Sequence, residues 1–339
     1  MKKSLLALAV LGAFAGAASA QTNVTIYGVA DVGIERFDTS ATSATWGLTS
    51  GIQSGSRLGF KGTEDLGGGL KANFALENGY NIDTGTMGQG GRLFGRQAWV
   101  GLSGGFGAVK FGRQYTPIFV AQDTIDPFGT GITGGGSGMI AVFNPYGVRM
   151  DNTVNYSLNA GPISAEVAYG FGEVAGDNSA GRQIGLGATY ANGPLTVVGA
   201  YHDANSATVG SQADARTFLL GGAFSFGVAK VHAAFADNRG DTATGGTAIR
   251  DRDYMIGVSA GVGAAGNVMA SYIRHDQRLA GTTDADADYW QIGYTHNLSK
   301  RTNVYTSYST IKNDRNSALA SGAAGVDVSW LNVGIRHKF

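Results

Sequence analysis

A period of two runs along nearly the whole chain and limits what it can fold into. From Val24 to Glu35, one set of alternate positions reads Val24, Ile26, Gly28, Ala30, Val32 and Ile34. The positions between them read Thr25, Tyr27, Val29, Asp31, Gly33 and Glu35. Successive side chains of a strand point to opposite faces, so this is a ribbon apolar on one side and mostly polar on the other. The pattern returns at Leu70, Ala72, Phe74 and Leu76, at Ile163, Ala165, Val167, Tyr169 and Phe171, and at Ile184, Leu186, Ala188 and Tyr190. Helix-period stripes are scarce, and the expectation is an all-β chain.

The connections between these ribbons fall into two kinds. Seven are short and rich in Gly, Pro or Asn, at 66–69, 103–107, 159–162, 191–194, 225–228, 262–266 and 297–301. Eight are longer and polar, at roughly 38–55, 78–91, 114–148, 172–181, 203–215, 237–251, 275–287 and 313–327. The two kinds alternate, and fifteen connections join sixteen strands. Short turns at one end, long loops at the other and an even strand count describe a bacterial transmembrane barrel.

Regular strand spacing also fits a soluble sandwich, so the faces have to decide. The face opposite the apolar one carries Asp, Glu, Lys, Arg, Asn and Gln, which a sealed core leaves unpaired at high cost. A barrel of roughly 16–18 strands has a wet inside, and its closure pairs every strand edge. Phe37, Tyr169, Tyr190 and Tyr201 lie near strand ends, where interfacial aromatic girdles are expected, while Tyr27 falls on the polar face. Thus the expectation is a 16-stranded antiparallel transmembrane β-barrel.

The start of the chain agrees with export. Met1-Lys2-Lys3 is basic, Ser4–Gly16 is small and apolar, and Ala18-Ser19-Ala20 is a small-x-small cleavage pattern. Residues 1–20 therefore read as a signal peptide and 21–339 as the barrel domain. No later stretch offers the ~18 consecutive apolar residues a membrane helix needs. Cys is absent from the 339 residues, which excludes thiol catalysis, disulfides and cysteine-ligated metals. With 25 basic against 25 acidic residues there is no field to attract nucleic acid, and that partner is not expected.

The last residues run Trp330-Leu331-Asn332-Val333-Gly334-Ile335-Arg336-His337-Lys338-Phe339. Counting back from Phe339 in twos gives His337, Ile335, Val333 and Leu331. An amphipathic strand ending on an aromatic residue resembles the signal read by the barrel assembly machinery, with Phe339, His337 and Ile335 as its bearers. Together with Val24-Thr25-Ile26-Tyr27-Gly28, Ser56-Arg57-Leu58-Gly59-Phe60-Lys61-Gly62-Thr63-Glu64-Asp65-Leu66, Gly95-Arg96-Gln97-Ala98-Trp99-Val100-Gly101-Leu102 and Lys110-Phe111-Gly112-Arg113-Gln114, it makes the mature chain resemble the Gram-negative general diffusion porins.

That resemblance implies a homotrimeric, water-filled channel in the outer membrane, embedded in its lipid, that passes small hydrophilic solutes and ions without a cofactor. It also implies a third extracellular loop folded inward. The longest connection, 114–148, is the third long one and carries Asp123, Asp126-Pro127-Phe128-Gly129, Gly134-Gly135-Gly136 and Pro145-Tyr146-Gly147. By motif, Arg57, Arg96 and Arg149 match the basic wall of the constriction, and Asp123 and Asp126 its acidic loop side. Parity is expected to set Arg57 and Lys61 opposite Leu58 and Phe60, and Arg96 opposite Trp99. Lys61, Glu77, Arg92 and Arg113 are secondary lumen candidates.

Other motifs lead elsewhere. Gly261-Val262-Gly263-Ala264-Ala265-Gly266 has the spacing of a dinucleotide loop without a helix pattern after it, and reads as a periplasmic turn. Arg239-Gly240-Asp241 is expected in an exposed loop, as a chance match. The five His show no metal spacing, and Asp284, Asp286 and Asp288 read as a solvated acidic loop. A substrate-specific channel and an outer-membrane barrel enzyme are the alternatives to a general porin. No Ser/His/acid or Asp/His set stands out to support the enzyme.

Overall fold

The computed structural model describes residues 23–132 and 147–339; the expected leader, Gly134–Gly136, Pro145 and Tyr146 lie outside them. Eighteen strands and one helix occur among the described residues. They are β1 Asn23–Thr39, β2 Thr45–Ser50, β3 Arg57–Gly67, β4 Leu70–Asn81, β5 Thr86–Met87, β6 Gln97–Gly104, β7 Gly107–Tyr115, α1 Pro117–Ile125 and β8 Arg149–Ala160. Then follow β9 Ile163–Gly170, β10 Gln183–Asn192, β11 Leu195–Asn205, β12 Asp214–Ser225 and β13 Ala229–Asp241. The chain continues through β14 Thr247–Val262, β15 Gly266–Gln277, β16 Ala287–Asn297, β17 Thr302–Asn313 and β18 Val328–Lys338.

Two of these strands do not add staves to the barrel. β2 and β3 lie along the same edge of β1, β2 from Val32↔Ser50 to Phe37↔Thr45 and β3 from Asn23↔Thr63 to Val29↔Arg57. They are one interrupted strand. β5 is a two-residue flap on β4. The rest pair antiparallel in chain order, and β18 closes on β1 from Val29↔Lys338 to Thr39↔Val328. The result is a closed barrel of sixteen staves.

The seven short turns stand where the sequence places them, while two long connections are corrected. The first, 38–55, contains β2, because Asp31 holds the break that follows: its carbonyl accepts from Gly51 N and Ser56 Oγ, and its carboxylate from Ser54 N. The connection at 237–251 shrinks to 242–246, because β13 and β14 pair out to Gly240↔Ile249 and beyond. Arg239-Gly240-Asp241 therefore lies in a strand rather than an exposed loop.

Burial is inverted relative to a water-soluble protein. On β1, Ile26 is 63% exposed and Asp31 fully buried; on β18, Val333 is 55% exposed and Asn332 2%. Closed backbone pairing with apolar residues outside and polar ones inside is the arrangement hydrocarbon requires. Among the described residues no helix is long and apolar enough to cross a membrane. One expected girdle residue is moved: Phe37 lies on the inner parity and packs on Trp330, ring centroids 5.5 Å apart.

The inner wall also has an apolar strip, including Val198, Leu219, Met255 and Ile273, against which α1 seats Ile118, Ala121 and Ile125. Thr116 caps the helix, accepting from Phe119 N at 3.3 Å, and Pro117 occupies the first turn, where a missing N–H costs nothing. Glycines make the landing track. A Cβ on Gly185 would meet Pro117, on Gly221 the tip of Ile125, on Gly257 Pro127 and on Gly293 Phe128. Past the helix, the backbone N–H of Ile132 donates to the Ile52 carbonyl, and its own carbonyl accepts from Ser307 Oγ and Asn332 Nδ2. The segment 117–132 thus runs along the inner face from β10 to β18.

Candidate functional site

Seated this way, α1 turns its other face to the lumen. Ile118, Ala121, Gln122 and Ile125 face the wall, leaving Val120, Asp123 and Thr124 exposed on the opposite side. Across from them stand Arg57, Arg96 and Arg149. All three arginines and Asp123 line one cavity of about 510 Å³, with Gln53, Ser54, Gln89, Tyr115, Phe119 and Thr130.

Each arginine stands where a strand begins, and each is fixed differently. Arg57, the first residue of β3, donates Nε to the Gly55 carbonyl at 2.9 Å, and its Nη1 lies 4.0 Å from Glu77 Oε1. Arg96 directly precedes β6; its Nε donates to Glu77 Oε1 at 2.7 Å and its Nη2 to the Tyr115 hydroxyl at 2.7 Å. Arg149 opens β8, donates Nε to the Arg96 carbonyl at 2.9 Å and lies over the Tyr115 ring at 4.8 Å. A fork held by two or three acceptors keeps its shape, and it stays charged at any working pH. Glu77 balances part of this charge from beneath, and also accepts from the Tyr27 hydroxyl at 2.9 Å.

The two loop carboxylates have different fates. Asp123 opens into the cavity and accepts from Thr130 Oγ1 at 2.8 Å. Crowding by the walls raises its carboxyl above the usual range, against the pull of Thr130 and Arg57. Asp126 does not line the cavity. One of its oxygens accepts from Phe128 N at 3.0 Å and the other from Thr130 N at 2.9 Å, which shapes the turn after α1. Burial, reinforced by the nearby Asp123 charge, pushes its carboxyl up to about 6 despite those donors. The expected acidic pair is therefore one lumenal carboxylate and one turn-forming carboxylate.

The secondary candidates also separate. Glu77 sits under the arginines. Lys61 lies in a different recess, its ammonium 5.1 Å from the Tyr27 ring centre, beside Trp99 and Gln97. Trp99 shares the face of Gln97, to which its indole donates at 3.1 Å, and Lys110 lies over it at 5.1 Å. So Trp99 faces inward, and the parity that set Arg96 against it does not apply, because Arg96 lies outside the strand. Arg92 and Arg113 do not line the cavity; both bind Asp151, at 2.7 and 2.5 Å.

Sequence reading missed Tyr115, the group that ties Arg96 to Arg149. Gly112 has a φ of 124° and the β7–β8 register shifts between Gly112 and Gln114, so simple alternation fails for the residues beyond. The acidic loop is not a bare cluster: Asp286 and Asp288 bind Arg274 at 2.6 and 2.9 Å, and Asp284 binds Arg315 at 3.0 Å.

A family model described as Gram-negative porin matches residues 7–316. The chain is 36% identical to an outer membrane porin protein of Bordetella pertussis and 37% identical to outer membrane porin protein 32 of Delftia acidovorans, in both cases over all of each chain. The solved anion-selective porin from Comamonas acidovorans is 34% identical, with a TM-score of 0.83 over 94% of this chain and 100% of its own.

Proposed function

The chain belongs to the Gram-negative porin family, and from that premise we propose that its outer-membrane barrel passes small hydrophilic solutes and ions by diffusion, through a constriction formed where Arg57, Arg96 and Arg149 face Asp123. The observation that carries this is the meeting of those four side chains in one water-accessible cavity. Opposed charges across a narrow lumen set up a transverse field, which orders water and orients dipolar solutes. A hydrated polar solute exchanges one set of hydrogen bonds for another there, whereas an apolar one has to break ordered water.

The balance of charge favours anions. Three guanidiniums border the cavity, one carboxylate opens into it, and Glu77 is held by Arg96 with a side chain only 3% exposed. The related Comamonas acidovorans protein is itself described as anion-selective. Reversal potential across a planar bilayer in a salt gradient tests the reading: an anion-side potential is expected, and a potential of zero overturns the constriction assignment.

We assign no catalysis to the chain, as a channel. A trimer is the assembly we propose, with Phe339, His337 and Ile335 presenting the strand recognised during membrane assembly. Ile335 and Phe339 are exposed on the outer face, which suits that role. The paired shelves Lys61–Tyr27 and Lys110–Trp99 in the lumen favour a second reading, a preferred solute with a binding step. Saturation of conductance with solute concentration separates that reading from free diffusion.

A further inference from the structure

From the arginines toward the short-turn end, the inner wall of β1, β3, β4 and β6 hollows into a cavity of about 410 Å³. Among the described residues, Lys61 is the only charged side chain that lines it. The register puts its parts in order: Thr25 faces Lys61, Lys61 faces Ala75, and Ala75 faces Trp99. Neighbouring strands lie about 4.8 Å apart, so the backbones of Lys61 and Trp99 stand roughly 10 Å apart. Only the Ala75 methyl rises between them in that row. The row is a cleft with a cation on one bank, an indole on the other and a small apolar floor.

Both aromatic residues of the cleft are held from its margins. Tyr27 donates its hydroxyl to Glu77 Oε2 at 2.9 Å, and its ring occupies the space that a Cβ on Gly59 would take. Trp99 donates its indole N–H to Gln97 Oε1 at 3.1 Å. Lys61 lies over the Tyr27 ring, and Lys110 over that of Trp99 without lining the cavity. Neither ammonium has an ion pair or a hydrogen bond among the described residues, so both keep their proton donors for a visitor. The amide oxygens beside the cleft are engaged within the wall. Asn73 Oδ1 accepts from Thr63 Oγ1 at 3.0 Å, and Gln97 Oε1 serves Trp99. A ring entering here is therefore met by its face rather than read along its edge.

We propose that this cleft is a subsite for aromatic carboxylates, an inference that rests on the reading of the lumen as having a solute-binding step. The carboxylate takes the free donors of Lys61, and the ring lies over Ala75 against Trp99. Aromatic pairs gain from offset or edge-to-face contact beyond the area they bury, and rigid partners lose little on meeting. The Lys110 ammonium behind the indole adds to the attraction for an anion. An aliphatic acid finds the charge without the ring contact, and a neutral ring finds the indole without the charge. Only an anion that carries a planar ring uses both banks.

The test is chloride current through single channels of the native protein in a planar bilayer, with benzoate, cyclohexanecarboxylate and benzamide added in turn. Cyclohexanecarboxylate keeps the charge and loses the aromatic faces; benzamide keeps the ring and loses the charge. Benzoate should reach half-maximal reduction of the current at a concentration roughly threefold to tenfold below that of cyclohexanecarboxylate, the gain expected of one aromatic pair. Benzamide should need more than either acid. Trp99→Leu should bring the two acids level, while Lys61→Gln should weaken both and leave benzamide where it was. Each variant reads one bank, so either serves if the other fails to insert. Equal half-saturation by the two acids, or a benzoate preference that survives in inserted Trp99→Leu channels, would overturn the subsite. A current that no acid reduces would overturn it together with the binding step, whereas an anion-side reversal potential in the same channels would leave the constriction standing.

Discussion

Arg96 donates its Nε to Glu77 Oε1 at 2.7 Å, and the two side chains are only 8% and 3% exposed. The pair ties the start of β6 to the end of β4 beneath the cavity floor. Glu77 also lies near Arg57 and accepts from Tyr27, so a single carboxylate sets how much of the basic wall's charge reaches the lumen.

Replacing Glu77 by Gln keeps the shape and removes the charge. The reversal potential should move further toward anions and thermal stability should fall, because breaking one side of a buried ion pair costs roughly 3–5 kcal/mol, less where water reaches it. Reversal potential and melting temperature read the two effects separately. An unchanged potential would mean that Glu77 has no electrical hold on the permeating ions.

The opposite shift is expected of Arg57→Ala combined with Arg96→Ala. At water-like dielectric a charge about 4 Å from an ion is worth about 1 kcal/mol, so each removal should change the permeability of anion and of cation roughly fivefold in opposite directions, and their ratio by up to about thirtyfold. Bi-ionic potentials check the size. Arg149→Ala should cost selectivity and also loosen Tyr115, over whose ring it lies.

Loop placement can be tested without touching a charge. Gly257→Leu puts a side chain where a Cβ already comes within 2.8 Å of Pro127, whereas a Cβ on Gly199 meets nothing within 4 Å. Overpacking of this kind costs about 1–3 kcal/mol, enough to push the loop off its track. Single-channel conductance should rise and ion preference weaken in Gly257→Leu, with Gly199→Leu unchanged. Equal conductance in all three proteins would detach the loop from the constriction.

Asp126 makes the loop sensitive to pH. Its carboxyl is raised from 3.8 to about 6 by burial, so the folded turn binds the proton more tightly than the unfolded chain does. The stability it contributes is fully present below about 3.8 and is lost as pH rises through about 6. After correction for intrinsic exchange, amide protection across 116–132 should fall between pH 5 and pH 7. Asp126→Asn should abolish that trend, and a trend that survives the substitution would assign it to another group.

The barrel was largely legible in the sequence because strand alternation is a local code. Ile26 beside Tyr27, or Ile335 beside Arg336, declares its face without reference to anything distant. What alternation cannot convey is where a strand breaks or bulges. Alternation does not separate β2 from a loop because the break at 51–56 depends on Asp31, which lies 23 positions before Ser54, and the bulge at Gly112 hides the facing of Tyr115.

The basic side of the site came from motif, and the cavity unites all three arginines. On the acidic side the cavity takes in Asp123 and not Asp126. Asp123 and Asp126 differ by three positions, and only the helix phase of α1 and the turn after it decide which one reaches the lumen. Phe37 is expected in the girdle as an aromatic near a strand end and Trp99 outward by its parity against Arg96, yet the inner wall has an apolar strip and cation-bearing shelves that accommodate them.

The seam between β18 and β1 sets the order of events in folding. Phe339 N donates to the Gly28 carbonyl and Gly28 N to that of Phe339, a contact between residues more than 300 positions apart. Until those two ends meet, the sheet is open along two edges, and an open edge is untenable in hydrocarbon. Insertion therefore cannot proceed hairpin by hairpin to a stable partial product. The nascent chain has to be kept from aggregating until its two terminal staves can be joined.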